Sequence, residues 1–132
     1  MNDIPKATAE GLLYAQAYEA LLKTMEQYVD KYNRTDKFNL IGYNIGFDDR
    51  FLREMWSRMK DVYYNSWFWW PPLDVAVLAA QYLRHERRRL ENFKLSTVAQ
   101  YLDIKREGDA HDALSDIHLT KAIYKRVTEV MS

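Results

Sequence analysis

Cysteine is absent from the 132 residues, which removes any disulfide framework and any thiolate metal site and suits a reducing compartment. Net charge is absent as well. Nineteen basic residues balance nineteen acidic ones, so no global positive field marks a nucleic-acid binder, and contact with a polyanion has to come from a local patch. No run of about 18 apolar residues exists, and the polar opening "MNDIPKATAEG" lacks the apolar stretch of a signal peptide. These absences predict a soluble, cytoplasmic protein with no membrane partner.

What is present is apolar and aromatic. Hydrophobic residues make up 48% of the chain and aromatic ones 14%, enough at this length for one core and hence for one globular domain spanning residues 1–132. Tyr14, Tyr18, Leu21, Met25, Tyr28 and Tyr32 recur at spacings of three and four, which predicts an amphipathic helix over 8–32. After the polar break "NRTDK", "FNLIGY" reads as a short buried strand ending at Gly42. Helical spacing returns over 47–60. The block "YYNSWFWWPP" reads as a short strand or extended segment, because its two prolines end any regular element. Helices are then expected over 73–88, 95–102 and from the loop "DIKREGDAH" to Val130.

The segment "LIGYNIGFDD" places two aspartates where a strand turns into a helix. With a rotation of about 100° per residue, Phe47, Phe51, Leu52, Met55, Trp56 and Met59 fill one half of that helix. Asp48 falls in the middle of this half and Asp49 at its margin. A carboxylate on a core-facing stripe is costly unless it is paired, hydrogen-bonded or bound to a cation. Free N–H groups and the helix dipole at a first turn offer a simpler account. The last helix repeats the pattern: Asp116 lies along the side carrying Leu119, Ile123, Val127 and Val130, with Ile117 and Tyr124 flanking and Thr120 beside it. Two converging carboxylates repel one another unless a divalent cation lies between them, and hard cations such as Mg²⁺ or Mn²⁺ take oxygen ligands. His111, five residues before Asp116, fits the loop after Gly108, from which it could swing over the same site as a general base.

At these residues a family resemblance becomes nameable. "IGYNIGFDDRFL" resembles the second motif of the DnaQ-like, or DEDDh, 3′–5′ exonucleases, and "HDALSDIHLT" resembles their third. "PLDVAVLAAQYL" is similar to the Asp-containing segment that opens the helix between them, and "KLSTVAQYLDI" to the Leu-rich helix before the His loop. The resemblance runs from about Ile4 to the end of the chain, and both motifs occur in order. It implies an α/β fold, a partial ribonuclease-H-like exonuclease domain rich in helix. It implies Asp48 and Asp116 as ligands of Mg²⁺ or Mn²⁺, two ions in the complete site, and His111 as the base that deprotonates the attacking water. Asn44 would hold the motif loop, and Phe47 would pack under the site or against the terminal nucleotide. Tyr43 stands where the family more often has His. The implied reaction releases nucleoside monophosphates from the 3′ ends of single-stranded DNA or RNA.

One family element is missing. The first motif, Asp-x-Glu on the first strand, occurs nowhere in the 132 residues. The resemblance therefore implies that the first three strands and their acids lie upstream of Met1, that this chain is a truncated domain with little activity alone, and that the exposed edge of "FNLIGY" promotes self-association. The alternative reading is a non-catalytic remnant that binds nucleic acid or a partner protein. "RHERRR" at 84–89 reads as a solvated helix end rather than a phosphate site. Trp67, Phe68, Trp69 and Trp70 read as core or interface rather than base-stacking rings, and His85 and His118 as surface residues.

Overall fold

The computed structural model describes residues 6–107 and 112–129. The elements are α1 (Lys6–Met25), β1 (Ile41–Gly42), α2 (Ile45–Arg58), α3 (Tyr64–Trp67), β2 (Leu73–Asp74), α4 (Val75–Tyr82), a 3₁₀ turn (Arg87–Arg89), α5 (Leu95–Tyr101) and α6 (Ala113–Glu129). The architecture is α/β and rich in helix, with one two-stranded parallel sheet. No helix among the described residues is long and apolar enough to cross a membrane. Packing divides the chain into two compact units, one built from 6–40 and 47–72, the other from 41–46 and the residues after 72.

The first unit is an aromatic cluster. α1 ends at Met25 and not near residue 32, so Met25 is buried while Tyr28 and Tyr32 fall beyond the helix and stand 70% and 85% exposed. From α2, Met55 and Trp56 pack with Tyr64, Trp67 and Phe68. Edge-to-face contacts order these rings, at 5.1 Å between Tyr18 and Trp56 and 5.4 Å between Trp56 and Tyr64. The Tyr18 hydroxyl donates to Asp61 Oδ2 at 2.5 Å. Of the aromatic block, Tyr64–Trp67 forms a single helical turn where an extended segment was expected, and only Phe68 pairs as strand, in a parallel bridge with Phe38. That bridge exchanges hydrogen bonds from Phe38 N–H to the Trp67 carbonyl at 2.8 Å and from Trp69 N–H to the Phe38 carbonyl at 2.9 Å.

The second unit holds the sheet. β1 and β2 run parallel in the register Ile41↔Leu73 and Gly42↔Asp74. β2 comes from residues expected to open a helix. It is extended because Asp74 is the N-cap of α4: its backbone stays in the β region and its side chain accepts from Ala76 N–H at 3.0 Å. α4 therefore begins at Val75, and it ends at Tyr82, well before Arg88. Val75 and Ala79 of α4, Val98 and Ala99 of α5, and Leu119, Ile123 and Val127 of α6 form the core. The last three, four residues apart, lie on the buried side expected from sequence, while Val130, the fourth residue assigned to it, lies outside the described residues. Ile117, assigned to the flank of that side, is instead 62% exposed.

Candidate functional site

The motif loop sits at the carboxyl end of β1. Two residues, Tyr43 and Asn44, carry the chain from strand to helix, and Asn44 adopts φ +60°, a left-handed conformation that asparagine tolerates better than most residues. Its N–H is held by Asp74 Oδ1 at 2.9 Å, the same oxygen that caps α4. One carboxylate thus joins the loop after β1 to the helix after β2. Gly42 permits the close turn, since a Cβ there would lie 2.6 Å from Cδ1 of buried Ile45. Tyr43 donates its hydroxyl to the Phe93 carbonyl. Burial, reinforced by the charge of Asp74 and opposed by Arg87, pushes its phenol up to about 12.

α2 starts at Ile45, two residues earlier than the spacing of Phe47 suggested, and its buried side is centred on Ile45, Asp49 and Trp56. This corrects the assignment of the buried acid. Asp49 is only 8% exposed. Its two oxygens are both engaged, Oδ1 by the Tyr64 hydroxyl at 2.8 Å and Oδ2 by Arg53 Nε at 3.0 Å. The buried charge of Asp49 is thereby met by a phenol and a guanidinium. The Tyr64 phenol is pushed well above its ordinary value by burial first and then by the Asp49 carboxylate it bonds. Asp48 is exposed in the first turn of α2 and makes no hydrogen bond or ion pair among the described residues. Phe47, beside it, is 72% exposed, and Phe51 is 50% exposed against Tyr14.

Asp116 lies in the first turn of α6 at the margin of its buried side, with Ser115 in the fully buried position. Its Oδ1 accepts from Arg106 Nη1 at 2.5 Å, and the same nitrogen reaches Ser115 Oγ at 3.1 Å. Thr120 donates to the Asp116 backbone carbonyl, so it does not orient the carboxylate. Asp48 and Phe47 belong to the first unit, Asn44 and Asp116 to the second, and His111 lies outside the described residues. Among the described residues no group of three or more His, Asp or Glu side chains is placed to hold a metal ion. Among the described residues Asp48 is unpaired, its neighbour Asp49 is engaged by Tyr64 and Arg53, and Asp116 is paired with Arg106.

Sequence reasoning missed three participants. Asp74 stands in "PLDVAVLAAQYL", where an aspartate directly before an apolar helical run is an N-cap signal. Arg53 stands four residues after Asp49, the spacing of a helical ion pair. Arg106 sits in a polar loop with no periodicity, and nothing in the sequence links it to Asp116. His85 and His118 are exposed, as expected. Comparison with protein-family models, with curated protein sequences and with solved structures found no match.

Proposed function

We propose that this chain carries the second- and third-motif part of a ribonuclease-H-like 3′–5′ exonuclease site, acting on single-stranded DNA or RNA ends. The observation that supports the reading most is the Asn44–Asp74 junction. It fixes a Gly-Tyr-Asn loop at the carboxyl end of a parallel strand, the side on which open α/β sheets bind ligands. The resemblance of both motifs to the DEDDh family supplies the chemistry.

Among the described residues no group of three or more acidic or His side chains is placed to hold a metal, so the reading adds an Asp-x-Glu strand supplied in cis or by a second polypeptide. The test is a gel assay with 5′-labelled single-stranded oligonucleotides in Mg²⁺ or Mn²⁺. The chain alone is expected to leave no more than trace digestion. Addition of such a strand, in cis or as a peptide, is expected to produce 3′–5′ laddering that Asp116→Ala abolishes. Robust laddering by the unaided chain that Asp48→Ala and Asp116→Ala leave intact would show that neither aspartate serves the reaction.

A second reading, a non-catalytic remnant, is favoured by one contact. Arg106 already neutralises Asp116, and a carboxylate so paired has no need of a cation. Retention of partner or nucleic-acid binding with no digestion under any supplementation would select it.

A further inference from the structure

Two of the four rings in "WFWW" are not core. Trp67 and Phe68 are buried, but Trp69 is 41% and Trp70 69% exposed. Each exposed indole has a cation against it: Lys37 Nζ lies 5.2 Å from the ring centre of Trp69, and the Arg53 guanidinium 5.5 Å from that of Trp70. Asn65 ties the two cations together, its backbone carbonyl accepting from Lys37 Nζ at 2.9 Å and its Oδ1 from Arg53 Nη2 at 2.9 Å. Lys37, Arg53, Asn65, Phe68 and Trp70 line one open pocket with Asp49. All of these residues belong to the first unit.

The charge of the pocket can be counted. Two cations face one carboxylate, and both oxygens of that carboxylate are already engaged, by Tyr64 and by Arg53 Nε. Arg53 Nη1 has no partner among the described residues, and Lys37 Nζ donates one of its three protons. The pocket therefore offers an exposed aromatic face together with donors open to an anion. A neutral aromatic ligand would leave the donors unused, and an aliphatic acid would leave the indole unused. A nucleotide satisfies both: its base stacks on a ring face and its phosphate meets the cations.

We propose that this pocket binds single-stranded nucleic acid, one base stacking on Trp70 while an adjacent phosphate is held by Lys37 and Arg53. Two exposed rings with a cation near each, Arg53 being shared with Tyr64 at 4.5 Å, match a polymer that repeats base and phosphate better than a lone phosphorylated side chain. The site uses neither Asp48 nor Asp116 and needs no metal, so it stands apart from the hydrolytic reading.

The test is fluorescence anisotropy of short 5′-labelled single-stranded oligonucleotides with the whole chain, at low salt and in EDTA, where no digestion occurs. Binding is expected, with Trp70→Ala weakening it roughly 5- to 150-fold and Trp70→Phe restoring most of the loss. Lys37→Gln should lower the slope of log affinity against log salt by about 0.7, the value of one phosphate contact on a single strand. An abasic strand of equal length should bind as weakly to wild type as the normal strand binds to Trp70→Ala. Circular dichroism confirms that each variant is folded, and Lys37→Gln and the abasic strand carry the test if Trp70→Ala is not. Equal affinity for normal and abasic strands, no binding by wild type, or binding of a phosphotyrosyl peptide in place of the oligonucleotide would overturn the proposal.

Discussion

Single carboxylates decide the local chemistry of this chain, and Asp49 shows how. A buried aspartate is tolerable only when its oxygens are met, and the Tyr64 hydroxyl meets one of them at 2.8 Å. Tyr64→Phe should cost about 2 kcal/mol, the range for a hydrogen bond to a charged group. A shift of the urea midpoint corresponding to less than a quarter of that would mean that Arg53 alone satisfies the carboxylate. Asp74 serves two donors with one oxygen. Asp74→Ala removes a helix cap worth about 1 kcal/mol, water taking over the exposed Asn44 N–H, whereas Asp74→Asn keeps the oxygen and should cost less than half of the alanine loss. Asn44 itself can be tested through its backbone: at φ +60°, Asn44→Gly should be close to neutral and Asn44→Ala about 1 kcal/mol destabilising. Equal effects of the two in thermal melts would contradict the left-handed turn.

At the scale of elements, helical segments bounded by polar breaks were legible and the extended ones only in part. α6 could be read because Leu119, Ile123 and Val127 repeat the helical spacing over a long run, and α5 because its apolar stretch is bounded by polar loops on both sides. The sheet was half legible. "FNLIGY" announces a strand, and among the described residues Phe38 and Ile41–Gly42 of it find ladder partners; Phe68 falls in the block read as a short strand or extended segment, whereas Leu73–Asp74 falls where a helix was expected to open. α2 was recognised but misphased, because Phe47 and Phe51 look like core residues while Ile45 and Asp49 take the buried positions. Hydrophobicity alone could not rank an aspartate above two phenylalanines; only the presence of Tyr64 and Arg53 does. The motif loop was legible as a strand-to-helix turn, but the Arg106–Asp116 pair was not, since it joins a patternless loop to a helix. In α6, Ile123 is fully buried, and Ile123→Ala should cost roughly 2–5 kcal/mol by cavity formation. A loss below 1 kcal/mol in denaturant titration would show that the helix core repacks around the gap.

For the molecule as a whole, the tyrosines set an alkaline limit. Tyr18 and Tyr43 hold their phenolic protons up to about 12, each chiefly through burial, Tyr18 with added help from its bond to Asp61 and Tyr43 from the charge of Asp74. Tyr64 is shifted in the same direction by burial and Asp49. In the unfolded chain the same phenols ionise near 10. Above that pH the unfolded state binds fewer protons than the folded one, so the pH derivative of the unfolding free energy is negative. The contribution of these three residues is complete below pH 10 and is lost progressively as the pH rises from 10 through 12. They add no pH dependence between 7 and 9. Urea midpoints measured at intervals from pH 8 to 11.5 should therefore fall above pH 10. Lysines titrate in the same range, so the decisive comparison is the triple variant Tyr18→Phe, Tyr43→Phe, Tyr64→Phe. It should be less stable than wild type at pH 8, because three hydrogen bonds are gone, and should lose stability less steeply above pH 10, because the phenols that discriminate between folded and unfolded states are gone too. Parallel curves for the two proteins across that range would show that the folded chain does not hold these protons against the solvent.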